Sequence, residues 1–138
     1  RFVSSVIMAE KVASFRLKEY KINKASIEFD PDKPLSKMSI EIERKGDIEE
    51  NNIYRINMYI GVSDETNNFK ISANMVALFE FDSEISEENK TSFVNSNAPA
   101  ILFPYFRAYI STLTSLSGMQ PVILPTINFA RMLEQQEK

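Results

Sequence analysis

The sequence predicts an α+β fold: a four-stranded antiparallel sheet, meander-like, with C-terminal helices packed on one of its faces. Three observations predict it. Apolar residues recur at every second position in four segments of the first two-thirds of the chain, the period of strands with one packed and one wet face. The connections after the second and third segments are short and polar, and a parallel crossover would need a dozen residues or more. In the last third the apolar spacing changes to 4, 3, 4 and 3, one stripe along a helix.

The elements follow in order. Val3, Val6, Ile7, Val12, Phe15 and Leu17 stand among polar residues at loosely helical intervals, so residues 1–20 are expected to form a helical segment. Ser4 and Ser5 interrupt the opening apolar run and no small-residue cleavage site follows, which makes it structure rather than a signal peptide. The chain does not begin with Met, and a few residues are expected to precede Arg1.

The sheet is expected over residues 22–81. Its first strand carries Ala25, Ile27 and Phe29 and ends at the turn cluster Asp30-Pro31-Asp32. Met38, Ile40 and Ile42 mark the second strand, Tyr54, Ile56, Met58, Ile60 and Val62 the third. The fourth runs from Phe69 through Ile71, Ala73, Met75, Ala77 and Phe79 to Phe81. Residues 45–52 and 63–68 read as connections, and the acidic stretch 82–93 as a solvated loop.

Two helices are expected over residues 99–136. Leu102, Phe106, Tyr109, Leu113 and Leu116 form the stripe of the first, with Pro99 and Pro104 near its start. Gly118 stands where a left-handed cap belongs. Val122, Ile123 and Leu124 lie between Pro121 and Pro125, and Asn128 is placed to cap a final helix bearing Phe129, Met132 and Leu133 on one face. The whole chain, 1–138, reads as one domain.

Composition excludes most chemistry. The chain has neither Cys nor His, so thiolate catalysis, disulfides, Cys/His zinc sites and His-based triads are ruled out. Three glycines in 138 residues supply neither GxGxxG nor GxxxxGK[ST]. Sixteen basic against 19 acidic residues give a net charge of −3, which argues against a nucleic-acid partner. No apolar run approaches the ~20 residues of a membrane span. Glu41 and Glu43 share one strand face about 7 Å apart, but they alternate with Met38, Ile40 and Ile42 and describe the wet side of that strand. The acidic run from Asp82 to Glu88 lacks the spacing and sharp-turn glycine of a calcium loop. Asn89-Lys90-Thr91 matches a glycosylation sequon without the secretory context that would make it meaningful. The expectation is a cytoplasmic protein that is not an enzyme and uses no cofactor or metal.

What remains is an excess of apolar bulk: ten Phe, five Tyr and six Met. Phe103, Tyr105, Phe106 and Tyr109 crowd one short stretch. Such bulk fills a large core or, where it exceeds what a monomer of this size can bury, forms an oligomer interface or a groove for apolar partners. The interface is expected at Leu102, Phe106, Tyr109, Leu113 and Leu116. The groove is expected at Phe103, Tyr105, Met119, Val122, Ile123 and Leu124, floored by Met38, Ile40 and Ile42.

Residues 101–136, ILFPYFRAYISTLTSLSGMQPVILPTINFARMLEQQ, resemble the signature of the SecB export chaperones. That signature has an NILFPYAR helix start, a break containing Gly and Pro, an L-x-L-x-P-V-N-F segment and a Gln-rich end. The run Ile101 to Tyr105 with Arg107, and Pro125, Asn128 and Phe129 at matching separations, carry the resemblance, and KASIEFDP (24–31) is similar to the family's first strand. The resemblance implies a dimer of dimers, a homotetramer that holds non-native polypeptides in apolar grooves without ATP. It also implies a handover of clients to the SecA motor in protein export, through acidic residues on the exposed sheet face. Asp30 stands at one such position; near Ser26, Lys70 and Ser72 the acidic character is absent. A SecB-like sub-group instead serves the antitoxin of a toxin–antitoxin module, and an adaptor with one fixed partner would use the same apolar surface.

Overall fold

The computed structural model describes residues 14–132. Four strands, β1 (Phe15–Phe29), β2 (Met38–Glu49), β3 (Ile53–Asp64) and β4 (Phe69–Phe81), make one antiparallel sheet in the order β1-β4-β3-β2. β2, β3 and β4 form the expected meander. β1 returns to pair with β4, so the β1–β2 connection crosses the end of the sheet, a Greek-key arrangement. A helical arm follows: α1 (Glu87–Ser92), a π turn (Phe93–Asn97) and α2 (Ala98–Leu116).

Alternation explains the two central strands. Every inward position of β3 from Tyr54 to Val62, and of β4 from Phe69 to Phe81, is buried and apolar. Leu102, Phe106 and Ile110 of α2, all fully buried, close over that face, and the core lies between these two layers. Asn51 (φ 63°), Asn52 (φ 60°) and Asn67 (φ 58°) occupy left-handed positions in the two hairpins, where asparagine is tolerated better than most residues.

β1 departs from expectation. Residues 15–20, expected to be helical, are strand; residues 1–13 of the expected helical segment lie outside the described residues. The register of β1 against β4 slips between Leu17 and Glu19 and again between Ile22 and Lys24. Each bulge moves the inward set by one residue, so Phe15, Leu17, Tyr20, Ile22, Ala25, Ile27 and Phe29 share the inner face.

Two other readings are corrected. β2 continues through residues 45–49 instead of yielding to a loop at Lys45. The acidic stretch becomes helical because the Ser86 hydroxyl accepts a bond from the Asn89 amide (3.2 Å) while Glu87 and Glu88 sit in the positive first turn. Gly118 closes α2 at φ +88°. Asn128 caps as expected, its side chain accepting from the Arg131 amide at 3.0 Å, with helix over residues 129–132. Leu133 and residues to 136 lie outside the described residues.

Candidate functional site: a cleft at the crossover end of the sheet

The crossover connection, residues 30–37, is the least regular segment between two strands, yet it is tied down at both ends. Asp30 N–H donates to Asn68 O (2.9 Å) and Glu65 N–H to Lys37 O (3.0 Å). Asp30 also accepts the Asp32 amide at 3.0 Å, and Pro31 and Pro34 fix two φ angles. The loop is therefore preorganised.

Asp64, the last residue of β3, holds its centre. It is only 3% exposed, and it accepts the Ser36 amide (3.3 Å) and hydroxyl (3.1 Å), the Thr66 hydroxyl (3.0 Å), and the amides of Asn68 (2.8 Å) and Phe69 (3.1 Å). Burial pushes its carboxyl upward, but these bonds to the ionised form outweigh burial and hold it below its ordinary value. Glu80 is lowered as well, by hydrogen bonds from Lys18 and Arg16. A folded pKa below the unfolded one stabilises the fold fully above about pH 4, and that contribution is lost as pH falls through the lower folded value. Tm is thus expected to fall between pH 5 and pH 2, and Asp64→Asn to flatten that fall. An Asp64→Asn variant with an unaltered acid profile would show that the carboxylate does not hold the loop.

The opposite wall is the turn after α2. Thr114, fully buried, donates its hydroxyl to Ile110 O (2.8 Å) and accepts the Val122 amide (2.9 Å). Met119 N–H reaches Thr114 O at 3.1 Å. One hydroxyl so links the helix end to the extended segment beyond it. Between this turn and the crossover loop lies a cleft of about 500 Å³. Phe29, Pro31, Pro34 and Leu35 line one side and Met119 the other, with Asp30, Lys33 and Gln120 at polar positions. Leu35 is 41% exposed, an apolar side chain offered to an occupant.

The structure separates the expected groove residues. Met119 lines the cleft. Met38, Ile40 and Ile42 are half-buried on the inner face of the β2 edge, beginning just beyond the crossover loop. Phe103, Val122 and Leu124 are core instead: they are buried, and the Phe103 ring packs edge-on to Phe129 with centroids 5.5 Å apart. Tyr105 lies against Tyr20 with centroids 4.4 Å apart, and Ile123 is 71% exposed outside the cleft. Of the expected interface, Leu102 and Phe106 are fully buried within this chain and belong to its core. Tyr109 and Leu113 are half-buried, and Leu116 is 82% exposed.

Sequence reading missed Phe29 and Leu35 as cleft residues. Its available signal was the eight-residue, two-proline connection at 30–37, longer than a hairpin between adjacent strands requires.

Known proteins agree with this architecture. A family model described as preprotein translocase subunit SecB matches residues 17–138. An uncharacterized protein of Methanocaldococcus jannaschii is 41% identical over 68 residues, covering 49% of this chain and 43% of that one. The protein-export protein SecB of Orientia tsutsugamushi (strain Boryong) is 29% identical over 105 residues, covering 74% of this chain and 63% of its own. The chain thus spans less than two-thirds of either relative's length. Among solved structures, the Mycobacterium tuberculosis SecB-like chaperone in complex with a ChAD peptide from the HigA1 antitoxin superposes with a TM-score of 0.68 at 16% identity. That match covers 83% of this chain and 88% of the other and is a likeness of fold.

Proposed function

The chain belongs to the SecB family, and from that premise we propose that it is a holding chaperone that binds apolar segments of non-native polypeptides without ATP. One observation carries the reading: a preorganised cleft with Phe29, Leu35 and Met119 on its walls and polar residues beside them. Rigid walls cost little entropy on binding. The half-covered edge at Met38, Ile40 and Ile42 extends the apolar surface, so that each further anchor binds intramolecularly. The net charge of −3 helps keep a loaded complex dispersed.

Export is the family's role, and delivery to SecA is its finer form. The sheet face here supports holding more than docking: Ser26 and Ser72 bond to each other at 2.9 Å, and Asp30 is engaged in its own turn. The antitoxin reading draws on the M. tuberculosis neighbour, whose bound peptide comes from an antitoxin. Tyr109, Leu113 and Leu116, at spacings of 4 and 3 on α2, are the proposed contact of a homo-oligomer, a dimer of dimers. This reading sets the work in the cytoplasm; among the described residues no helix is long and apolar enough to cross a membrane.

The test is aggregation of several unrelated unfolded proteins, followed by light scattering with and without this protein and without nucleotide. Suppression of all of them is the expected result. Activity on a single neighbouring-gene product would replace the generalist with the antitoxin or adaptor reading. Sedimentation at micromolar concentration is expected to show a dimer or tetramer, and a strict monomer would remove the proposed α2 contact.

A further inference from the structure

At the opposite end of the sheet, β2 breaks its own pattern. Ile40 and Ile42 face inward, and the next inward positions are Arg44, Gly46 and Ile48, opposite Met58, Ile56 and Tyr54. A guanidinium stands where an apolar side chain would complete the layer. Its Nη1 is shielded from solvent and has no hydrogen-bond partner among the described residues. Glu49 pairs with Arg55 at 2.7 Å, Asp47 lies in the same lining as Arg44, and no ion pair of Arg44 occurs among the described residues. A shielded, unpartnered charged donor is costly and marks a place where local packing has been given up for another purpose.

Arg44 lines a cavity of about 440 Å³ together with Gly46, Asp47, Ile48, Tyr54, Val94 and Asn95. Three further features shape it. A Cβ at residue 46 would sit 2.1 Å from the Tyr54 hydroxyl, so glycine is what lets that ring lie beside Arg44. Val94 and Asn95 come from the π turn, a wide helical turn that recurs at functional sites. Ile48 is 51% exposed and offers apolar surface at the same place.

We propose that this cavity is a carboxylate-binding site, in which Arg44 pairs with a single carboxylate presented beside an apolar group that packs on Ile48 and Val94. Arg44 is only half-buried, and the edge of its guanidinium that reaches the cavity, rather than the shielded Nη1, is what pairs with the carboxylate through charge-assisted hydrogen bonds. The Asn95 amide adds a neutral donor. Asp47, also in the lining, repels any anion and repels a dianion such as phosphate about twice as strongly as a single carboxylate, which favours the lower charge. The site lies away from the crossover cleft and does not depend on the chaperone reading.

The carboxylate has two sources, an acidic residue of a polypeptide or a free organic acid, and calorimetric titration of the full chain separates them. Probes are acetyl-Leu-Asp-Leu amide, its Asn counterpart, and benzoate. In the unaltered protein the Asp peptide is expected to bind at least tenfold more tightly than the Asn peptide, a comparison that needs no variant. Benzoate matching the Asp peptide identifies a free acid as the ligand; peptide binding at least tenfold tighter than benzoate identifies a polypeptide carboxylate. Arg44→Gln is expected to abolish the Asp–Asn difference. Equal binding of the two peptides, or a ratio unchanged in a folded Arg44→Gln protein, overturns the proposal.

Discussion

Truncating Phe93 to alanine is expected to lower the unfolding free energy by about 3–5 kcal/mol, and Tm by about 10–15 °C. Phe93 is fully buried at the start of the π turn, where the helical arm meets the sheet. Its ring lies 3.6 Å from that of Phe15, centroid to centroid, and stands edge-on to Phe79 (5.1 Å), Phe81 (5.3 Å) and Tyr54 (6.4 Å). One side chain therefore joins β1, β3 and β4 to the arm. Removing it loses apolar burial, several edge-to-face contacts and the packing around the space left behind. Against a typical total of about 5–15 kcal/mol, that loss brings the domain near its limit. Phe93→Leu keeps the apolar burial without the ring edges and is expected to cost about a third as much. Urea denaturation measures both, and a loss below about 1 kcal/mol for Phe93→Ala would show that the arm is held elsewhere.

The elements legible in the sequence were those whose periodicity is unbroken. β3 and β4 alternate from end to end, and their inward residues could be read directly. β1 could not, because its two bulges space the inward residues at 2, 3, 2, 3, 2 and 2, an interval between strand and helix periods that made Phe15 and Leu17 look helical. On α2 the apolar stripe 102/106/109/113/116 was visible, but the buried line is Leu102, Phe106, Ile110 and Thr114. A threonine reads as polar and surface-directed, yet Thr114 is satisfied by Ile110 O and the Val122 amide, so its burial carries no penalty. The two lines share Leu102 and Phe106 and part only after them, where the buried one runs through Ile110 and Thr114 and leaves Leu116 exposed. The cleft was half legible. Met119 stood out as apolar in irregular backbone, whereas Leu35 becomes its neighbour only through the strand order, which no local pattern encodes.

Replacing Leu35 and Met119 together by serine is expected to weaken binding of a reduced, alkylated, permanently unfolded protein by about thirtyfold. Neither side chain is part of the buried core: Leu35 is 41% exposed and Met119 is half-buried. Each is therefore worth about 1 kcal/mol to a bound client, below the 2 kcal/mol or more of a fully enclosed anchor. Two such terms that add amount to about thirtyfold at 25 °C. For the same reason Tm is expected to move by no more than a few degrees, since little buried area is lost on folding. Ile123→Ser is the matched control: Ile123 is more exposed, at 71%, but lies outside the cleft, and its loss is expected to change affinity less than twofold. Phe103→Ala behaves differently again, destabilising the fold because Phe103 is core. Fluorescence anisotropy of the labelled client measures all three affinities. If Ile123→Ser weakens binding more than the Leu35/Met119 pair does, clients are held on the outer surface beyond α2, and the cleft is only where the crossover loop meets the helix end.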